Sequence, residues 1–456
     1  MAEYHPFAFP KEEDLLAKAR ELGVPLELES DFSFLLSGAD VGPKRVPNRF
    51  AVLPMEGRDS LPDGTPGELT FRRYRRHGAG GWGLILFEAC AVWPGGRSSD
   101  RQMCLTPETE TTIARLLGET REAARGAMGA DHAPVCILQL QDAGRYRHAT
   151  GTTPGLTTPY PLLDRRAGVP EGVEPLTDDD IERIQDHMVA AAVRARTIGF
   201  DGVDVKSCHR YLSSDLLSAH TRSGRFGGDF EGRTRFLRET AARIRDAVSD
   251  RSFLVTVRMN LFDDFPYPYG WGVDRSDPPK PDMTEPLRLI GLLRERGLDL
   301  LTTSSGTPYY NPWVVRPFDR LIPGNIPAPE HPLESVTRLF SLTEAVKKAY
   351  SDLPVTGSGY TWLREFGVSA AAANVRRGAT TFAGFGRTAF AYPGLPKDIR
   401  EKGAPDPRNV CVCCSLCSEV MGQGGSTGCY AKDREVYGPM LTAHRAARAK
   451  KEEMHG

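Results

Sequence analysis

The sequence predicts an α/β protein: a (β/α)8 TIM barrel followed by a small cysteine-rich segment at its C-terminal end. Three observations carry this. Eight short apolar runs recur along the 456 residues, near-continuously apolar rather than alternating, as parallel strands covered on both faces require. Longer stretches with helical spacing separate them. No G-x-G-x-x-G lies between a strand and a helix, which argues against an open dinucleotide-binding sheet. The length suits one large barrel with additions at its ends. The expected organisation is an N-terminal extension over 1–44, the barrel over 45–400, and the cysteine segment with a final helix over 401–456.

Taken in order, the extension holds an amphipathic stretch at 11–22, read as a short helix bracing the surface. The expected strands are 49–55, 83–92, 134–140, 202–206, 254–259, 298–305, 354–359 and 379–386. Between them, 109–125 is acidic early and basic late, in keeping with a helix dipole. Residues 177–197 form a second helix, where Thr177 can cap a first turn containing Asp178, Asp179 and Asp180. Further helices are expected at 231–248, 285–296 and 335–350. Two loops are too long for plain connectors, 144–175 and 261–282, the latter holding Phe265, Tyr267, Tyr269 and Trp271. Both leave the C-terminal ends of strands, where barrel enzymes build their sites. The aromatic set reads either as part of such a site or as a lid packed on the barrel rim that touches no ligand.

Lys plus Arg is 58 against 59 for Asp plus Glu, so no bulk charge draws the chain to nucleic acid or an anionic membrane. Small molecules or another protein are the expected partners, and a homo-oligomer is compatible with the sequence. The first ten residues lack a secretory pattern, and no stretch reaches the roughly 18 apolar residues of a membrane span. Cys90, Cys104, Cys136 and Cys208 show no paired spacing, which fits a reducing cytoplasm. The other cysteines cluster. Cys411, Cys414, Cys417 and Cys429 form a C-x2-C-x2-C-x11-C run, the ligand set expected of a [4Fe-4S] cluster. Three thiolates can wrap one face of a cubane, and the fourth arrives after a loop of small residues at 422–428. Zinc is the competing reading, though its sites usually bring two ligands from each of two knuckles. Cys413 is a spare that could replace Cys411 or Cys414.

Several strand ends carry a further signal. Asn48-Arg49-Phe50 through Pro54-Met55, Gln139-Leu140-Gln141-Asp142-Ala143-Gly144-Arg145, Gly199 to Val205 leading into Tyr211-Leu212, the stretch T-R-S-G-R-F-G-G-D-F-E-G-R ending at Arg233, and Gly384-Phe385-Gly386-Arg387 resemble the Old Yellow Enzyme flavoproteins. The similarity runs in order over roughly residues 45 to 400. With the cysteine run added, the chain is similar to the iron-sulfur branch that includes 2,4-dienoyl-CoA reductase and trimethylamine dehydrogenase. That resemblance implies FMN at the barrel mouth. It would place Arg258 at the flavin pyrimidine edge, where charge collects on hydride arrival, and Gln139 on the pyrimidine amide. Gly357, Ser358, Gly359, Gly384, Gly386 and Arg387 would hold the phosphate. Pro54, Met55 and Glu56 would lie against the flavin. Relatives in this branch continue with FAD- or ADP-binding domains, whereas this sequence stops 27 residues past Cys429. The resemblance therefore implies an external electron carrier, a ferredoxin or a flavoprotein. The final stretch, through Leu441, His444, Arg445, Arg448, Lys450 and Lys451, reads as a basic helix, either a solvated end or a docking surface for an acidic redox protein.

The family holds a substrate oxygen with a pair of side chains three residues apart and protonates with a tyrosine two residues later. Lys206, His209 and Tyr211 occupy those positions. Lys206 departs from the family's histidine or tyrosine: it would hold an oxyanion strongly, act as a base if burial lowered its pKa, or merely pair with Asp142. Glu56 departs too. With no thiol at that position the flavin should be bound noncovalently, and the carboxylate should be exposed or turned toward Arg58. Three functions follow. The first is an ene-reductase taking hydride from FMN and a proton from Tyr211. The alternative is an amine or alcohol dehydrogenase, with Trp93, Trp271, Trp313 and Tyr267 around a cationic substrate. The third is a non-catalytic electron carrier.

Overall fold

In the computed structural model, residues 5–277, 280–322 and 326–455 are described. An antiparallel hairpin, β1 (Ala39–Val41) and β2 (Lys44–Val46), precedes eight parallel strands: β3 (Phe50–Val52), β4 (Leu84–Ala91), β5 (Val135–Gln141), β6 (Gly202–Ser207), β7 (Leu254–Asn260), β8 (Leu300–Ser304), β9 (Val355–Gly357) and β10 (Phe382–Phe385). These eight close into a barrel in the order β10-β3-β4-β5-β6-β7-β8-β9. All eight expected strands are present, five of them shorter than expected and those at Val135–Gln141, Gly202–Ser207 and Leu254–Asn260 running one residue past the expected end. Every barrel strand is buried along its length, which is why the sequence shows continuous apolar runs instead of alternation.

The hairpin was not expected from the sequence. Its Ala39, Val41 and Val46 pack with Leu84, Val135, Leu254, Leu300 and Phe382 from the barrel interior. Those five lie at or next to the first residue of their strands, so the hairpin plugs the N-terminal end and leaves the C-terminal end for chemistry. The expected helices appear at Glu12–Glu21, Glu110–Met128, Asp178–Ile198, Phe230–Val248, Thr284–Glu295 and Pro332–Ala349. The first packs inward through Leu15 and Ala19. Thr177 caps its helix as expected, its side chain accepting from the Asp180 amide while the Asp180 carboxylate accepts from the Thr177 amide. Thr177→Ala should cost about 1 kcal/mol, read as a lower urea midpoint with the site unchanged.

Glu68–Ala79 is a helix that apolar periodicity does not announce. Its inner face carries Arg73, which pairs with Asp59 and Glu88 inside the fold. Arg72 and Arg76 of the same helix pair with Asp433, tying the C-terminal segment to the barrel. The final helix spans Arg434–His455; the side chains of Arg448, Lys450 and Lys451 fall outside the described residues. Among the described residues, no helix is long and apolar enough to cross a membrane.

Candidate active site

A cavity of about 1070 Å³ opens at the C-terminal ends of the strands. Twelve of the residues singled out in the barrel line it: Pro54, Met55, Glu56, Lys206, His209, Tyr211, Arg258, Ser358, Gly359, Gly384, Gly386 and Arg387. Strand register explains how they meet. Lys206 on β6 is the direct partner of Arg258 on β7, so two cations project side by side at the mouth. One layer deeper, Gln139 pairs with Asp204 and Asp204 with Thr256.

Burial sets the protonation states. Desolvation lowers the Lys206 ammonium to about 8. It holds His209 well below the usual imidazole range, and neighbouring Arg258 and Lys206 push in the same direction, so the ring is neutral near pH 7. Tyr211, 1% exposed, is raised well above its usual value by burial, by Tyr309 and by Glu56, so its phenol keeps its proton. The Lys206 ammonium sits 3.4 Å from the centroid of the Tyr211 ring, a cation-π contact that also places a positive charge beside the phenol. His209 Nε2 and Ser304 Oγ are 3.1 Å apart. His209 and Arg210 both hold positive φ, 64° and 63°, a conformation that costs energy in residues with a side chain. The turn is pinned by Arg210, which bonds Asp263 at 3.0 Å and Asp215 at 2.8 Å. Arg145 in turn binds Asp215 at 2.7 Å and also pairs with Asp164.

The cavity fits a flavin on two structural observations. First, Arg258 Nε and Arg387 Nη1 are buried with no hydrogen-bond partner among the described residues, an arrangement that a bound anion or carbonyl would satisfy. Second, the glycines form a close cradle. A Cβ at Gly384 would come within 2.6 Å of the Gly357 carbonyl, and one at Gly386 within 2.8 Å of the Met55 sulfur. Two expected cofactor contacts lie off the cavity wall. Gln139 lies in the deeper layer, off the cavity wall, donating to Asp204 at 2.7 Å while its Oε1 is unpartnered. Gly357 gives its amide to Thr380 Oγ1 at 2.9 Å, so that N–H is not free to bind phosphate.

The departures also resolve. Lys206 does not pair with Asp142, because Arg147 grips both Asp142 oxygens at 2.9 Å and Trp93 Nε1 donates to the same carboxylate at 2.8 Å. Glu56 turns toward Arg58, 3.4 Å away. It is not exposed, and it accepts from Ser98 Oγ at 2.7 Å and Gln102 Nε2 at 3.2 Å. None of the loop's Phe265, Tyr267, Tyr269 or Trp271 lines this cavity. Trp271 is buried and donates to the Asn260 carbonyl at 3.0 Å, Tyr269 stacks on Tyr160, and none of Trp93, Trp271, Trp313 or Tyr267 lines the cavity.

The four expected cysteine ligands share one cavity, although among the described residues no three His, Cys, Asp or Glu side chains are grouped closely enough to hold a metal ion. Cys411, Cys414, Cys417 and Cys429 line one cavity of about 350 Å³, and Arg387 lines both it and the larger one. Cys413 faces away, its sulfur directed at the Thr361 carbonyl 3.6 Å off. The Cys413 amide points at Cys411 Sγ, 3.4 Å away. Gly428 is sterically obligatory there, since a Cβ would meet the Tyr437 ring at 2.0 Å. The segment is stitched to the barrel mouth by Arg320 to the Cys414 carbonyl at 3.0 Å, Thr427 N–H to the Gly57 carbonyl at 2.6 Å, and Asp319 N–H to the Cys413 carbonyl at 3.1 Å. Ser418, Met421 and Thr427 consequently reach the wall of the larger cavity.

Sequence reasoning missed Tyr309 and Arg316, both from the loop after β8. Tyr309 OH lies 2.8 Å from Tyr211 OH, and its neighbour Thr307 donates to the His209 carbonyl at 3.2 Å. The signal was available: residues 305–331 leave a strand's C-terminal end at a length no plain connector needs.

Residues 35–268 match the NADH:flavin oxidoreductase / NADH oxidase family. The chain is 34% identical over 233 residues to a metal reductase of Desulforamulus reducens, covering 50% of this chain and 33% of that one. It is 26% identical over 409 residues to dimethylamine dehydrogenase of a Hyphomicrobium species, covering 86% and 49%. It thus spans a third to about half of these relatives' lengths. Among solved structures, a 2-naphthoyl-CoA reductase in complex with 2-naphthoyl-CoA superposes with a TM-score of 0.70 at 19% identity, over 89% of this chain and 57% of that one.

Proposed function

Because the chain belongs to the NADH:flavin oxidoreductase / NADH oxidase family, we propose that it is a flavin-dependent oxidoreductase. In this reading it reduces the activated C=C bond of an anionic, carbonyl-containing substrate, with FMN in the large cavity and a [4Fe-4S] cluster in the cysteine cavity. The observation that carries the reading is the convergence of Lys206, His209 and Tyr211 on the space that Arg258 and the glycine cradle also face. Noncovalent attachment is supported by the absence of any cysteine among the residues lining that space.

Arg258, Ser358, Gly359, Gly384, Gly386 and Arg387 would hold FMN, with Pro54 and Met55 beside it, and the bound flavin would supply the hydride chemistry. Cys411, Cys414, Cys417 and Cys429 would hold a cluster, which would supply one-electron chemistry toward an external ferredoxin or flavoprotein. The protein's own groups do the rest. Neutral His209 donates to the substrate carbonyl. Lys206, an ammonium below about pH 8, stabilises the enolate oxygen as charge develops. Tyr211 delivers its proton to the α carbon, and the adjacent Lys206 charge favours the phenolate left behind. Tyr309, 2.8 Å away, returns a proton to Tyr211. Gln139 acts at one remove, fixing Asp204 beneath the two cations.

Oxidation of an amine is the weaker reading. Lys206 would repel a cationic substrate, and no aromatic cage faces the cavity. A pH prediction follows from the same lysine: kcat for enone reduction should fall above pH 8, by up to about tenfold per unit, as the ammonium deprotonates. Lys206→Met should flatten that limb. To test the function, protein reduced anaerobically with dithionite is mixed with cyclohex-2-enone, and oxidised protein with dimethylamine. The enone should restore the oxidised flavin spectrum and the amine should leave it unbleached; the opposite pattern would reverse the assignment.

A further inference from the structure

A second cavity, of about 1110 Å³, adjoins the first. Pro308, Tyr309, Arg316, Ser418 and Met421 line both, so these residues form the doorway between them. Exposed His148 and Arg166 stand on the outer wall, making this chamber the solvent side of the inner one. Arg58, Arg166 and Arg316 contribute to the wall, and its one carboxylate, Glu419, is ion-paired to Arg320. Arg58 is matched by Glu56 at 3.4 Å. Arg166 donates to the Tyr309 carbonyl at 3.2 Å, a neutral acceptor.

Arg58 Nε is buried without a hydrogen-bond partner, but Arg58 has Glu56 beside it. Arg316 at the doorway has no such carboxylate: its Nη1 is likewise buried with no hydrogen-bond partner, and no carboxylate pairs with it among the described residues. A desolvated guanidinium without a counter-anion is costly, and its planar donor edge suits a carboxylate held by two parallel bonds. Burial and the nearby Arg387 lower its pKa to about 10, still leaving it charged at neutral pH.

We infer that the outer cavity is an antechamber that receives a carboxylate at the far end of the substrate, docked on Arg316 at the doorway with Arg166 guiding entry. The carbonyl end then reaches Lys206, His209 and Tyr211. This rests on the proposed function for the identity of the inner end only. An oxyanion at Arg316 has a second source, the FMN phosphate, and the test separates the two.

The probes are 4-(3-oxocyclohexyl)butanoate and its methyl ester, saturated ketones that bind without turnover, titrated by calorimetry into flavin-loaded protein. The acid should bind at least about tenfold tighter than the ester, the loss expected when a charged hydrogen bond goes unmade. Arg316→Gln should abolish that preference while flavin affinity stays within about threefold. Arg316→Lys should retain part of the preference, and Arg166→Gln, an exposed position, should reduce it. Equal binding of acid and ester by the unaltered protein would overturn the inference. So would a preference surviving Arg316→Gln, or loss of flavin from that variant, which would assign Arg316 to the cofactor phosphate. Failure of enone reduction with the acid preference intact would instead count against the proposed function alone.

Discussion

Tyr211→Phe is expected to slow enone reduction by roughly 10²- to 10³-fold, the range for removing a positioned general acid. Reduction of the bound flavin should keep its rate. The split follows from position. Tyr211 is buried, protonated and bonded to Tyr309, while the contacts assigned to the flavin belong to other strands. Stopped-flow measurement of the two half-reactions reads them separately. Equal slowing of both would mean that Tyr211 holds the flavin, and an unchanged oxidative half-reaction would mean that another group protonates the substrate. Tyr309→Phe should give a smaller loss confined to that half-reaction, because Tyr211 could still be reprotonated by water.

The second large effect is expected at Arg387. This is the one described residue lining both the barrel cavity and the cysteine cavity. Burial opposes its charge, yet the nearby cysteines and Asp319 raise its pKa above the ordinary arginine value. Nη2 is fixed by the Pro317 carbonyl at 2.6 Å, while Nη1 is buried without a partner among the described residues and is the atom proposed to meet the phosphate. Arg387→Leu should weaken flavin binding by roughly ten- to a hundredfold, the worth of one charged hydrogen bond. It should also lower iron loading, since the same cation faces the cysteine sulfurs. Fluorimetric flavin titration and iron assay on one preparation check this. Loss of flavin with normal iron would confine Arg387 to the phosphate.

Much of this architecture was legible in the sequence because it is written in strands. A barrel strand buried on both faces must be apolar throughout, whereas Lys206, Arg258 and Arg387 were placed at the mouth by the resemblance to a flavoprotein family. Four cysteines at close spacing are equally explicit, and the structure adds that Cys413 is not among those facing the shared cavity. What escaped was fixed by tertiary contact. The helix Glu68–Ala79 hides its inner face behind Arg73, satisfied only by Asp59 and Glu88 from elsewhere in the chain. Each strand of the barrel-plugging hairpin has three residues, too few for a period to register. Gln139 looked like a cavity residue, but strand register puts it a layer below the lysine-arginine pair. Tyr309 and Arg316 sit in an irregular loop whose path is set by Asn311 and Thr307 bonding back to the barrel.

The measurement that tests the central claim most directly is a cofactor count on anaerobically purified protein. One FMN with about four irons and four sulfides per chain is the predicted result. Stoichiometric zinc without sulfide, with or without flavin, would contradict the account, because the cysteine cavity would then be a structural clamp and not the path by which electrons reach the barrel.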